Sequence, residues 1–174
     1  MLDSKKWRII REILGNPEEE IHVREIAKKL KVSPGLVSIT VNKLKKEGFL
    51  KNGKPDLEDL QVRTYKIMLN SETLASLIPL AKKLGAKGLG VYGSYAKGTN
   101  TRDSDADVWV KVEKYPKAAT IAKFRADVRK KINVEPSLFF LTDEKISNLR
   151  EENVSLYMSM YHGLLLWGED IDKF

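Results

Sequence analysis

No cysteine occurs among the 174 residues, histidine appears twice, and aromatic residues make up only 8% of the chain. The missing thiols exclude disulfides, thiolate zinc sites and cysteine nucleophiles, and they suit a reducing compartment. His22 and His162 are isolated in sequence and read as surface or packing residues. Walker A, GxGxxG and Ser-His-Asp signatures are also missing, which leaves the common P-loop, dinucleotide-binding and serine-hydrolase chemistries without their residues. No window approaches the roughly 18 apolar residues of a membrane span, and residues 1–11 hold no uninterrupted apolar segment. Neither a membrane span nor a secretory leader is expected, and the cytoplasm is the expected location.

What the chain does have is positive charge, a formal +7 with a pI near 9.4, which favours polyanionic partners. The charge is uneven. Residues 1–70 hold 15 Lys/Arg against 10 Asp/Glu, whereas residues 71–174 hold 16 against 14. The N-terminal part is the better nucleic-acid candidate. At 42% hydrophobic the chain can build one ordinary core or two small ones, and the patterning fits two.

Trp7, Ile10, Ile13 and Leu14 fall on helical spacing until Gly15-Asn16-Pro17 stops them. Ile26, Ala27 and Leu30 mark a second short helix, and Lys31-Val32 makes a turn. Ser33 as N-cap, Pro34 at the first helical position, and Val37, Val41 and Leu44 on one face predict a third helix ending at Gly48. Phe49 to Lys51, a polar stretch over residues 52–59, and the alternating run Val62 to Leu69 predict a β-hairpin. The acids Asp56, Glu58 and Asp59 fall in its connecting stretch, where they would repel a phosphate backbone.

With VREIAKKLKVSPGLVSITVNKLKKEGFL as its signature, residues 5–69 resemble the winged helix-turn-helix family of DNA-binding domains. The resemblance implies that the third helix enters the major groove, with Gly35, Ser38, Ile39 and Asn42 exposed and Lys43, Lys45 or Lys46 near phosphates. Ile39 departs from the basic or polar residue commoner there.

A helix from Ser71, as N-cap, to Leu84 is expected to link this module to a second one. There Ala86 to Tyr92 reads as a buried strand ending at Gly93-Ser94, and residues 105–112 as a second strand. A helix over 117–131, a strand over 134–141, two more helices and a closing strand follow, an α/β order. Asp105 and Asp107 lie one residue apart on an apolar strand, so both carboxylates face one way and can converge on a hard cation. A glycine-serine turn just upstream offers backbone N–H groups to phosphates.

Gly93-Ser94, ten intervening residues and Asp105-Ala106-Asp107 resemble the minimal nucleotidyltransferase domains of the DNA polymerase β superfamily. Ala96, Gly98, Asp103 and Ser104 also fall where that family commonly has them. The resemblance implies Mg²⁺, with two ions, at Asp105 and Asp107, and the β- and γ-phosphates of ATP or another nucleoside triphosphate at Gly93 and Ser94. Lys97, Arg102 and Ser104 are the remaining nucleotide-side candidates. A third carboxylate, needed for the second ion and as general base, falls on Glu135, where the family usually has Asp. Pro136 next to it restricts the backbone.

The expected fold class is therefore a two-domain chain of α+β and α/β character: a winged helix over 1–70, a linker helix over 71–85, and a small mixed-sheet nucleotidyltransferase domain over 86–174. The implied activity is transfer of a nucleotidyl group, AMP from ATP, to a hydroxyl on a partner protein. Antitoxin-type relatives suggest a separately encoded toxin-like acceptor, with the winged helix serving autoregulation and a homodimer compatible with it. The alternative is a transcriptional regulator whose nucleotidyltransferase domain only senses nucleotide. Glu135 separates the two.

Overall fold

The computed structural model describes residues 4–172. Its chain divides into two units, Met1–Lys66 with Thr101–Asp103, and Ile67–Asn100 with Ser104–Phe174.

In the first unit, α1 (Lys5–Gly15) starts where the Ser4 hydroxyl accepts the Trp7 N–H, and it buries Trp7, Ile9, Ile13 and Leu14. α2 (Val23–Leu30) ends in the left-handed conformation of Lys31, φ 52°. The Ser33 hydroxyl then accepts the Leu36 N–H to start α3 (Pro34–Lys46), which buries Val37, Thr40 and Leu44. These caps match the sequence pattern because capping is local chemistry, decided within four residues.

The wing differs from expectation. It is a minimal hairpin of β1 (Leu50–Lys51) and β2 (Lys54–Pro55). Asn52 and Gly53 form its tip with φ 52° and 79°, the two positive values that a tight hairpin turn needs. The alternating run over residues 62–69 is not a second wing strand but lies within α4 (Leu60–Ala75). Asp59 decides this, since its carboxylate accepts the N–H groups of Gln61 at 2.8 Å and Val62 at 3.0 Å and so starts a helix. Val62, Lys66 and Leu69 are then buried along one helical stripe. The expected linker helix over 71–84 is likewise redrawn. Inside α4 the Ser71 hydroxyl donates to the Ile67 carbonyl at 2.8 Å instead of capping, and a separate α5 (Ile78–Leu84) follows, with Pro79 in its first turn.

The second unit contains β3 (Gly88–Val91), α6 (Gly93–Lys97), β4 (Ala106–Lys111), α7 (Ala118–Ile132), β5 (Pro136–Leu141), α8 (Asp143–Glu152), α9 (Val154–Tyr161) and β6 (Leu164–Gly168). The strands form a four-stranded sheet in the order β5-β4-β3-β6, in which only β4 and β5 run parallel. Alternation divides its side chains between two cores. On one face Leu89, Val91, Ala106, Val108, Val110 and Phe140 pack with Phe124, Val128 and Ile132 of α7. On the other, Tyr92, Trp109 and Leu141 pack with Ile146 of α8 and Tyr157 and Met160 of α9. Gly90 is small for a reason: a Cβ there would stand 2.2 Å from the ring of Trp109.

Candidate nucleotide site and nucleic-acid interface

One end of the sheet, where β3 finishes and β4 and β5 start, gathers the candidate residues. β3 runs out through Tyr92 into Gly93, antiparallel β4 begins at Ala106, and parallel β5 begins at Pro136. The Tyr92 N–H donates to the Asp107 carbonyl at 3.0 Å, and the Ala106 N–H donates to the Glu135 carbonyl at 2.9 Å. Residues far apart in sequence are thereby brought to one end.

Gly93 is the turn's structural requirement. Its φ is +66°, and a Cβ on it would meet Asp107 Oδ2 at 2.2 Å. Only glycine allows the backbone to lie against that carboxylate. Asp107 is half-buried, and Asp105 is exposed just before the strand. Loss of water raises the Asp107 pKa, the neighbouring Asp105 charge raises it further, and a hydrogen bond from Ser137 opposes both. Ser137 lies directly across from Asp107 in the parallel register. It also hydrogen-bonds Tyr92, whose phenol is pushed up by burial and then by the Asp107 charge.

A second network fixes the turn from beneath. Asn70 Nδ2 donates to the Tyr95 carbonyl and to Asn100 Oδ1, both at 2.8 Å, and all three residues are buried. The Tyr95 phenol is raised by burial, lowered by its hydrogen bond with Asn100, and raised again by the Asp105 charge. Sequence reasoning missed Tyr92, Asn70, Asn100 and Ser137 as contributors. Asn100 alone gave a signal, an amide inside the Gly93 to Asp107 pattern. Asn70 lies 25 residues from Tyr95, beyond any local pattern.

Of the other nucleotide-side candidates, Ser94 and Ser104 are half-buried, and Lys97 is exposed at the end of α6. Arg102 instead donates to Glu19 at 2.9 Å, and both residues belong to the first unit.

Glu135, the expected third acid, has other partners. It precedes β5, and its carboxylate is held by α7, with Oε2 3.2 Å from Arg129 Nε and Oε1 3.6 Å from Arg125 Nη1. Among the described residues no three His, Asp or Glu side chains are gathered to hold a metal. The reason is that two guanidinium groups of α7 compete for the Glu135 carboxylate. Asp105 and Asp107 remain, two hard oxygen donors beside a glycine cradle, and they suit a divalent cation.

On α3, Gly35, Ile39, Asn42, Lys43, Lys45 and Lys46 are exposed, and Ser38 is half-buried. Ile39 is 64% exposed. With Phe49 and Tyr65 it borders a shallow cavity of about 160 Å³. The acids expected to repel DNA have other roles. Asp59 starts α4, Asp56 accepts the Glu58 N–H at 3.1 Å, and Glu58 pairs with Lys51 at 3.4 Å. The hairpin tip is Asn52-Gly53, flanked by exposed Lys51 and Lys54.

The fold and these edges define a helix-turn-helix with a short wing and a glycine-turn, paired-aspartate sheet domain. The comparisons agree: the MarR family matches residues 2–56, and the family described as nucleotidyltransferase domain matches residues 76–157. The chain thus joins a MarR-type winged helix at its N-terminus to a nucleotidyltransferase domain at its C-terminus. No curated protein matches the sequence.

Proposed function

We propose that this chain is a DNA-binding regulator whose nucleotidyltransferase domain takes up a nucleoside triphosphate, ATP in our reading, with Mg²⁺ between Asp105 and Asp107. The single observation that carries the nucleotide site is the Gly93 backbone laid against the Asp107 carboxylate, 2.2 Å from where a Cβ would stand. That contact joins a phosphate-cradling turn to a metal-binding acid. Mg²⁺ there would neutralise triphosphate oxygens. Gly93 and Ser94 present backbone groups to the phosphates, Lys97 adds a cation, and Ser137 orients Asp107. The pairing of Glu135 with Arg125 and Arg129 is what favours regulation over turnover, because a general base must reach the acceptor's proton. The N-terminal unit supplies DNA contact through Gly35, Ser38, Asn42 and Lys43 of α3, with Ile39 offering an apolar contact such as a thymine methyl.

Nucleotidyl transfer is the second reading: AMP to a hydroxyl of a partner protein, a toxin-like acceptor among the candidates, with the winged helix acting on its own operon and two ions at Asp105, Asp107 and Glu135. The observation favouring it is the hydrogen bond of 2.9 Å from the Ala106 N–H to the Glu135 carbonyl, which keeps residue 135 beside Asp105 in the backbone.

Incubation with α-labelled ATP, Mg²⁺ or Mn²⁺ and cell extract separates the two. ATP binding without label transfer, together with a changed affinity for operator DNA, supports the regulator. Labelled protein that disappears in Glu135→Ala supports transfer. Absence of any metal-dependent nucleotide binding removes both.

A further inference from the structure

Glu135 is adjacent to the paired aspartates in its backbone and remote from them in its chemistry. Its carbonyl accepts the Ala106 N–H, but each carboxylate oxygen faces a different arginine, Oε1 facing Arg125 and Oε2 facing Arg129. These arginines are four apart on α7 and so share one helical face. α7 packs through Phe124, Val128 and Ile132 against the sheet face of Ala106 and Val108. Asp107 alternates to the other face.

We propose that Arg125 and Arg129 are positioning residues forming a clamp, which withholds Glu135 from the divalent ion held by Asp105 and Asp107. This rests on the metal and nucleotide reading of those aspartates. With each oxygen facing a different guanidinium group, the carboxylate must give up at least one partner to turn an oxygen toward an ion. The arginines are 48% and 70% exposed, and exposed pairs are individually weak. The clamp therefore sets a threshold that is readily crossed, and the arginines tune how many carboxylates the site offers.

The test is Mn²⁺ binding to the full chain, followed by the electron paramagnetic resonance signal of the free ion in the presence of a non-hydrolysable ATP analogue. Arg125→Ala/Arg129→Ala is expected to bind Mn²⁺ about five- to tenfold more tightly than the wild type. That gain should vanish when Glu135→Gln is added, and Glu135→Gln alone should bind nearly as the wild type does. Should the alanine pair fail to fold, Arg125→Gln/Arg129→Gln removes the same charges and keeps most of the stems. Equal affinity in the wild type and the arginine variant, or a gain that survives Glu135→Gln, overturns the clamp while leaving the metal site standing. Mn²⁺ affinity that Asp107→Asn does not alter overturns the metal-site reading, and the clamp with it.

Discussion

Gly93 and Asp107 occupy one another's space: a Cβ on residue 93 would stand 2.2 Å from Asp107 Oδ2 and 3.1 Å from its Cγ. The φ of +66° adds a torsional demand to the steric one. Gly93→Ala must therefore move either the turn or the carboxylate. Isothermal titration with Mg²⁺ and an ATP analogue should show at least about a tenfold loss of affinity. Wild-type affinity in that variant would take the turn out of the site.

Asp107 gives a pH dependence with a definite sign. Its folded pKa is raised, first by desolvation, so its protonated form is favoured on folding. The associated stability is present at acid pH and lost as pH rises through the raised pKa. At neutral pH the ionised carboxylate costs stability that Asp107→Asn relieves. This variant is expected to melt higher without metal and to lose Mn²⁺ binding. In the wild type, metal binding should weaken as pH falls, and Ser137→Ala should move that midpoint upward by removing the opposing hydrogen bond. A lower melting temperature for Asp107→Asn would contradict the desolvation account.

DNA contact through α3 is tested separately from the nucleotide site. Lys43, exposed on α3 and only 3.6 Å from Glu47, is expected to touch phosphate. Lys43→Ala should weaken binding to all duplexes alike and reduce the slope of log affinity against log salt by about 1. Asn42→Ala should instead cost about 1–3 kcal/mol at a specific site and little on random duplex. Fluorescence anisotropy over a salt series measures both.

Lys66 is nearly fully buried, and its Nζ donates to the Leu14 carbonyl at 3.0 Å. Burial lowers its pKa from 10.5 to about 8, with the Glu18 charge working the other way. Between those two values the folded chain binds fewer protons than the unfolded one, so stability rises with pH across that window. Below it the buried ammonium costs up to about 3 kcal/mol. Lys66→Met should raise stability at pH 7, less about 1 kcal/mol for the lost hydrogen bond, and should flatten the alkaline rise. Denaturant titrations at pH 7 and 9.5 check this. A variant less stable than the wild type at pH 7 would show that the Leu14 bond outweighs desolvation.

Legibility in the sequence followed the range of the deciding interaction. The Ser33 cap, the helix over residues 34–46, the Gly93 turn and the apolar run after Asp105 depend on neighbours a few residues away, and each was readable. The stretch over residues 62–69 was not, because its alternation of β-branched and polar residues suits a strand. One carboxylate, Asp59, together with burial of Val62, Lys66 and Leu69 on a helical stripe, overrides that preference. The hairpin's true signal, Asn52-Gly53, lies in a segment dominated by polar residues, which mask it.

Composition and spacing by themselves determined the two-module organisation, the helix-turn-helix, and the pairing of a glycine-serine turn with two aspartates, since turn formation and helix capping are properties of short segments. Which side chains the Glu135 carboxylate faces is decided only by the folded chain. Arg125 and Arg129 lie ten and six residues before Glu135, and it is the packing of α7 on the sheet that brings their charges to its carboxylate.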